Sequence, residues 1–144
     1  MSQKNVEIVK GLYPRPDADI AALFRDKRSF ETMRESLRSL LTDDFESVAV
    51  VLGQTRRYAG LEGLRQNWLD WLEPWATYRS TIDELIDAGE RVVLLLRDYG
   101  RREGTDKEVE IIAASICTIR EGKLARWEDY PDRAVALEVA GLSE

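Results

Sequence analysis

Between Ala76 and Tyr130 the chain alternates apolar, extended segments with turn signals, and this run constrains the fold more than any other feature. The segments 77–86, 91–99, 109–119 and 124–130 are punctuated by DAGE, GRREGTD and REGK, Gly-bearing polar clusters of the kind that reverse a chain between paired strands. Four strands in succession read as an antiparallel meander. The middle strands, VVLLL and IIAASICTI, are continuously apolar rather than alternating, so both faces of the sheet are expected to be covered. Helices would take one face; the other asks for a partner.

The first third of the chain can supply those helices. Asp17 is placed to cap a short segment carrying Ile20, Leu23 and Phe24, after Pro14 and Pro16 interrupt whatever precedes it. From Ser29, the residues Phe30, Met33, Leu37, Leu40 and Leu41 fall on one face of a longer helix. The β-branched run FESVAVVL (45–52) reads as a strand ending at Gly53, followed by a turn or short hairpin through QTRRYAG. Helix resumes after Gly60 with Leu61, Leu64, Trp68, Trp71, Leu72 and Trp75 at helical spacing, and Pro74 marks where it fails. Asp132 caps a last short helix through Ala140, closed by Gly141 in the left-handed cap position.

No repeat, linker or composition shift divides the 144 residues, so residues 1–144 read as one domain. Helices first and sheet later make an α+β class: a curved antiparallel sheet wrapped over N-terminal helices, a cone-shaped α+β barrel with an internal pocket.

The net charge of −6 argues against a nucleic-acid surface. Histidine is absent and Cys117 is the only cysteine, which excludes His-based triads, His-ligated zinc and an internal disulfide. No apolar run approaches the ~20 residues of a membrane span, and MSQKNVEIVK lacks a signal-peptide core, so the expectation is a cytoplasmic protein with no membrane partner. No cofactor motif and no metal-ligand spacing emerge. Asp43, Asp44 and Glu46 read as a solvated helix end, Arg56-Arg57 and Arg101-Arg102 as charged turn ends, and Cys117 as a small core or interface residue.

YAGLEGLRQNW, then the meander, then REGKLARWEDYPDRAVALEVAGL resemble the SnoaL-like family of the nuclear transport factor 2-like superfamily. The pieces that carry the resemblance are G-x-x-G-L from Gly60 to Leu64, the G-K-hydrophobic-x-R hairpin from Gly122 to Arg126, and the tail from Tyr130 to Leu142. It covers about residues 45 to 142. The resemblance implies a curved sheet over helices, a pocket at the wide end of the cone, and a homodimer through the outer sheet face. The family holds polyketide cyclases, ketosteroid isomerase relatives and epoxide hydrolases, so fold carries over further than activity. The implied ligand is an unidentified hydrophobic small molecule, and no cofactor is implied.

Reading REGK as a two-residue hairpin sets Ile116 opposite Trp127 and Ala114 opposite Asp129, all on one face. Similarity to the isomerase relatives turns that face toward the pocket, adds Trp68 as a pocket aromatic, and places Arg97 and Tyr99 on the inward side of the preceding strand. Asp129 is the catalytic candidate: a carboxylate on an apolar wall has a raised pKa and can act as acid or base. The alternative is an ion pair with an arginine such as Arg97 at the pocket mouth, or plain solvation. Tyr13 and Tyr58 are candidate hydroxyl donors in the pocket or rim residues, and Trp71 and Trp75 read as core. The isomerases carry their base on the strand before G-x-x-G-L, where Val48 to Leu52 is wholly apolar here. The cyclases lean on His, which is lacking. The Asp-Arg-Asp arrangement of the hydrolases would need neighbours Arg97 and Asp98 on one face of a strand, which a regular strand forbids. Two readings stand: acid/base catalysis by Asp129 on a hydrophobic cyclic substrate, or a non-catalytic homodimeric domain that binds a ligand or a protein.

Overall fold

The computed structural model of the chain describes residues 2–142. Helix α1 (Ser2–Leu12) precedes the prolines, a helix the sequence reading left blank because its apolar residues are few. Then α2 (Ile20–Arg25) and α3 (Lys27–Leu37) follow in close succession. Their N-caps are Asp19 and Asp26, whose side chains accept from the amides of Ala21 and Arg28. Asp19, rather than Asp17, takes the cap because its carboxylate also accepts from the Tyr78 amide at 3.0 Å, which ties the helix to the sheet.

A single 3-10 turn, Arg38–Leu40, ends α3, and Leu41 opens a strand instead of closing a helix. That strand, β1 (Leu41–Val51), turns through Leu52 and Gly53, both at positive φ, into β2 (Gln54–Ala59). The acidic run thus lies on a strand: Asp44 meets Arg120 at 2.6 Å, and Glu46 meets both Arg57 and Arg126. Helix α4 (Gly60–Leu72) leads to β3 (Thr77–Ala88), β4 (Arg91–Arg101), β5 (Glu108–Arg120), β6 (Lys123–Tyr130) and α5 (Arg133–Val139). The two glycines that open α4 have separate causes. Gly60 has φ +66°, which L side chains resist, and a Cβ on Gly63 would sit 2.5 Å from the Tyr58 carbonyl carbon.

The six strands form one curved, unclosed sheet in the order β2-β1-β6-β5-β4-β3. The meander β3 to β6 is antiparallel as its turns require, but β6 then pairs parallel with β1, so the sheet is mixed rather than wholly antiparallel. Three irregularities bend it, between Leu41 and Glu46 in β1, at Asp83 in β3 and near Ala125 in β6.

The inner face packs Val92, Leu94 and Leu96 of β4 with Cys117, Leu124 and Trp127 against α1 through Val9. A second cluster, centred on Phe24, Phe30, Leu72, Trp75 and Tyr78, joins α2, α3 and α4 to β3. Arg25 reinforces it by donating to the carbonyls of Leu72 and Trp75, both at 2.7 Å, which satisfies the end of α4. Part of the outer face, which the sequence leaves open for a partner, is occupied by α5: Ala136 and Ala140 close over Val93, Ala114 and Ile116. Asp132 caps α5 through the Ala134 amide, and Gly141 (φ +78°) with Leu142 completes its end by bonds to Glu138 and Leu137 carbonyls. Among the described residues no helix is long and apolar enough to cross a membrane.

Candidate functional site

The register of the last hairpin decides which residues face the interior. Glu121 and Gly122 form a two-residue turn with positive φ at both positions, and Arg120 pairs with Lys123 as the REGK reading requires. The register then shifts by one between Thr118 and Ile119, because β6 carries an extra residue at Ala125. Beyond that bulge Trp127 pairs with Cys117, Asp129 with Ser115, and Ile116 with Glu128. Asp129 and Trp127 face inward together, as two residues of one strand must. Ile116 does not: the bulge turns it to the outer face, where it is sealed beneath α5.

The parity of β4 is likewise the reverse of the expectation. Val92, Leu94 and Leu96 supply the inner core, so Asp98 is the next residue in, and Arg97 and Tyr99 point outward. There Arg97 pairs with Asp83 at 3.0 Å and Glu110 at 3.1 Å, and Tyr99 lies beneath the Arg79 guanidinium at 4.0 Å. Those two carboxylates hold the Arg97 guanidinium on the solvated face. β4 is regular at this point, so Arg97 and Asp98 stay on opposite sides.

Between the helices and the inner sheet face lies a cavity of about 50 Å³, lined among others by Tyr13, Asn67, Trp68, Trp71, Asp98 and Asp129. A more open groove of about 340 Å³ adjoins it, bounded by Arg56, Tyr58, Asp70, Trp71, Trp75 and Ile111. Ala49, Val51, Asn67 and Trp71 line both, so the cavity and the groove adjoin there. Tyr58 therefore stands at the outer groove, donating to Asp70 at 2.8 Å, and not in the inner cavity.

Asp129 accepts three hydrogen bonds. Its Oδ1 receives the Ser115 hydroxyl and the Trp127 indole N–H, each at 2.8 Å, and its Oδ2 receives the Asn67 amide at 3.3 Å. Burial dominates over those donors and pushes the carboxyl up to about 6. Oδ2, with one long bond, is the oxygen left free to work.

A second carboxylate lines the same cavity. Asp98 is 4% exposed and accepts from Tyr78 at 2.6 Å and from the Ser80 hydroxyl. Because the Ser80 proton goes to Asp98, the 2.6 Å contact between Tyr13 and Ser80 has Tyr13 as donor. Burial raises the Asp98 carboxyl, and burial with the Asp98 charge lifts the Tyr13 phenol well above its ordinary value, so Tyr13 keeps its proton. Tyr13 also stacks on Trp127, with centroids 5.7 Å apart and planes 10° from parallel. Trp68 stacks on Phe24 at 5.3 Å and meets Tyr78 edge-on.

The structure thus gathers Asp129, Trp68 and Tyr13 around one cavity, packs Trp127 in the core beside it, where its indole N–H holds Asp129, and leaves Arg97, Tyr99, Ile116 and Tyr58 outside it. Asp98 enters the sequence reading only through the hydrolase arrangement, which it fails, and Asn67, Ser115, Ser80 and Ser47 do not enter it. Trp75 is buried as expected, whereas Trp71 lines both the cavity and the groove. Cys117 is fully buried on the inner face.

The model of the SnoaL-like domain matches residues 21–127, which takes in α2 to most of β6 and stops two residues short of Asp129. No curated protein matches. Among solved structures, a protein described as a SnoaL-like polyketide cyclase from Jannaschia sp. CCS1 is 18% identical with TM-score 0.63, covering 99% of this chain and 94% of its own. TerC, co-crystallized with polyporic acid, is 24% identical with TM-score 0.62, covering 96% and 98%. A protein with a ketosteroid isomerase-like fold from Catenulispora acidiphila DSM 44928, in complex with trimethylamine, is 19% identical with TM-score 0.59, covering 94% and 93%. At these identities the likeness is one of fold.

Proposed function

The chain belongs to the SnoaL-like family, and from that premise we propose that it binds a hydrophobic cyclic small molecule and exchanges a proton with it through Asp129. One observation carries this reading. Asp129 sits in the cavity with a carboxyl raised to about 6 and one oxygen largely free of protein donors. A base with such a pKa is mostly ionised at neutral pH yet still able to return the proton. Ser115 and Trp127 fix the carboxylate through its other oxygen, so the working lone pair needs no reorientation during proton transfer.

The test is exchange of α-protons of cyclic ketones, 2-tetralone among them, into heavy water, followed by NMR. The protein should accelerate exchange over buffer, and Asp129→Asn should lower the accelerated rate at least about 100-fold, the usual span of a lost general base, with its fold intact by circular dichroism. Equal rates in the two proteins would remove Asp129 from the chemistry.

A second reading, binding without turnover, draws support from the inner volume. The tryptophans of α4 leave about 50 Å³ beside Asp129, small for a site that must surround a whole cyclic substrate. Ligand binding with no exchange for any ketone would favour it.

A further inference from the structure

The inner cavity has an unusual balance of polar groups. Two carboxylates line it, Asp98 and Asp129, and no lysine or arginine does. The guanidinium of Arg133, whose charge acts on the carboxyl of Asp98, is engaged on the outer face with Asp83 and the Leu96 carbonyl.

Asn67 adds an independent observation. It is 6% exposed and lines both the cavity and the groove. Its Nδ2 donates to Ser47 at 2.6 Å and to Asp129 at 3.3 Å. This orientation is dictated, since an amide oxygen turned to a carboxylate would repel it. Its Oδ1 then receives no donor from the described residues, and it is not sealed away as a buried orphan, so it is open to the cavity. The hydroxyl protons of the residues that line the cavity are spent: Tyr13 donates to Ser80, Ser115 to Asp129 and Tyr130 to Glu128. What the protein offers a guest is therefore acceptors, Asp129 Oδ2 and Asn67 Oδ1, between the aromatic rings of Tyr13, Trp68 and Trp71.

Inward-facing acceptors, two carboxylates with no lysine or arginine in the lining, and aromatic walls all select the same chemistry. A protonated amine satisfies the two oxygens with its N–H groups, neutralises the field of the carboxylates and is attracted by the ring faces. The volume agrees. At about 10–15 Å³ for each water-sized position, 50 Å³ holds a group of roughly four heavy atoms, an ammonium head and its first carbons. The rest of the ligand extends past Trp71 into the groove, whose lining is largely apolar.

We propose that the cavity recognises an organic amine in its protonated form, with the ammonium head between Asp129 and Asn67 and an apolar body in the outer groove. This rests on the reading above that the inner cavity is the binding site, and it names the ligand class for that site.

The test is calorimetric titration at pH 7.5 with three soluble probes of nearly equal size and different charge: benzylamine, benzyl alcohol and benzoate. Benzylamine should bind at least tenfold more tightly than benzyl alcohol, and benzoate should give no binding heat. In Asp129→Asn, benzylamine should fall to the affinity of benzyl alcohol while the alcohol's own affinity stays put, a split that general loosening of the fold would not produce. If Asp129→Asn fails to fold, the comparison of the three probes on the unaltered protein decides alone. Benzyl alcohol or benzoate binding as well as benzylamine overturns the ammonium proposal and leaves a cavity that binds neutral or acidic guests. Binding of none of the three overturns the proposal and the cavity reading together.

Discussion

Asp129 is the residue on which pH acts most directly. Its carboxyl lies near 6 in the fold against an ordinary value near 3.8, so the folded chain binds the proton more readily than the unfolded one. The sign follows: this group's contribution to stability is absent above about pH 7, grows as pH falls through 6, and is complete below about pH 4. A difference of about two pH units corresponds to about 2–3 kcal/mol. Asp44, held low by Thr42 and Arg120, Asp83, by Arg133 and Arg97, and Glu108, by Arg79, act in the opposite sense, so the measurement is a difference. Urea unfolding at pH 5 and 7.5 should show the gap between the native protein and Asp129→Asn changing by about 1.4 kcal/mol, since only about one pH unit of the difference falls inside that window. An unchanged gap would give Asp129 an ordinary acidity. Asp129 was legible in the sequence because alternation puts it, and not its neighbour Glu128, on the face it shares with Trp127, the face that the family resemblance turns inward. Its supports were not: Ser115, Asn67 and Ser47 are small polar residues that fit turns, caps and surfaces equally well, and only the folded register brings them together.

At the scale of elements, turn chemistry was readable and parity was not. DAGE, GRREGTD and REGK place the hairpins of β3 to β6 within a residue or two of the observed ends, since each turn depends on local backbone preference. The inserted residue at Ala125 leaves no comparable mark, and it alone moves Ile116 from the inner face to the outer. β4 was misread for another reason: VVLLLRDY is apolar on both faces before it turns polar, so the pattern itself does not say which of Arg97 and Asp98 goes in. Close approach between elements has its own requirement. A Cβ on Gly100 of β4 would lie 2.5 Å from Trp75 Cε3 and 2.6 Å from its Cδ2, and Trp75 is held from behind by Arg25. Gly100→Ala should therefore destabilise the fold by roughly 1–3 kcal/mol, the usual cost of overpacking, in urea unfolding. A loss below about 0.5 kcal/mol, the size of an ordinary surface change, would mean that the indole gives way freely.

For the whole molecule, the arrangement of layers depends on where α5 docks. Arg133 fastens it, donating to the carbonyls of Leu96 and Ala113 and to Asp83 at 2.7, 3.2 and 2.8 Å. Arg133→Ala should lower stability by roughly 2 kcal/mol, since bonds to charged groups contribute about 1.5–3 kcal/mol each and water replaces part of the loss. It should also expose the apolar patch over Val93 and Ile116, which size-exclusion chromatography would register as self-association. A variant that stays as stable and as dispersed as the parent would make α5 an ornament of the sheet rather than its cover. The cavity, for its part, is lined by residues far apart in sequence: Tyr13, just beyond α1, and Asp129, in β6. A ribosome releases the first of these long before the second, so no growing fragment that lacks β6 can hold the completed site. Occupancy of the cavity would then act as a receipt, given only to chains whose β6 has joined the sheet.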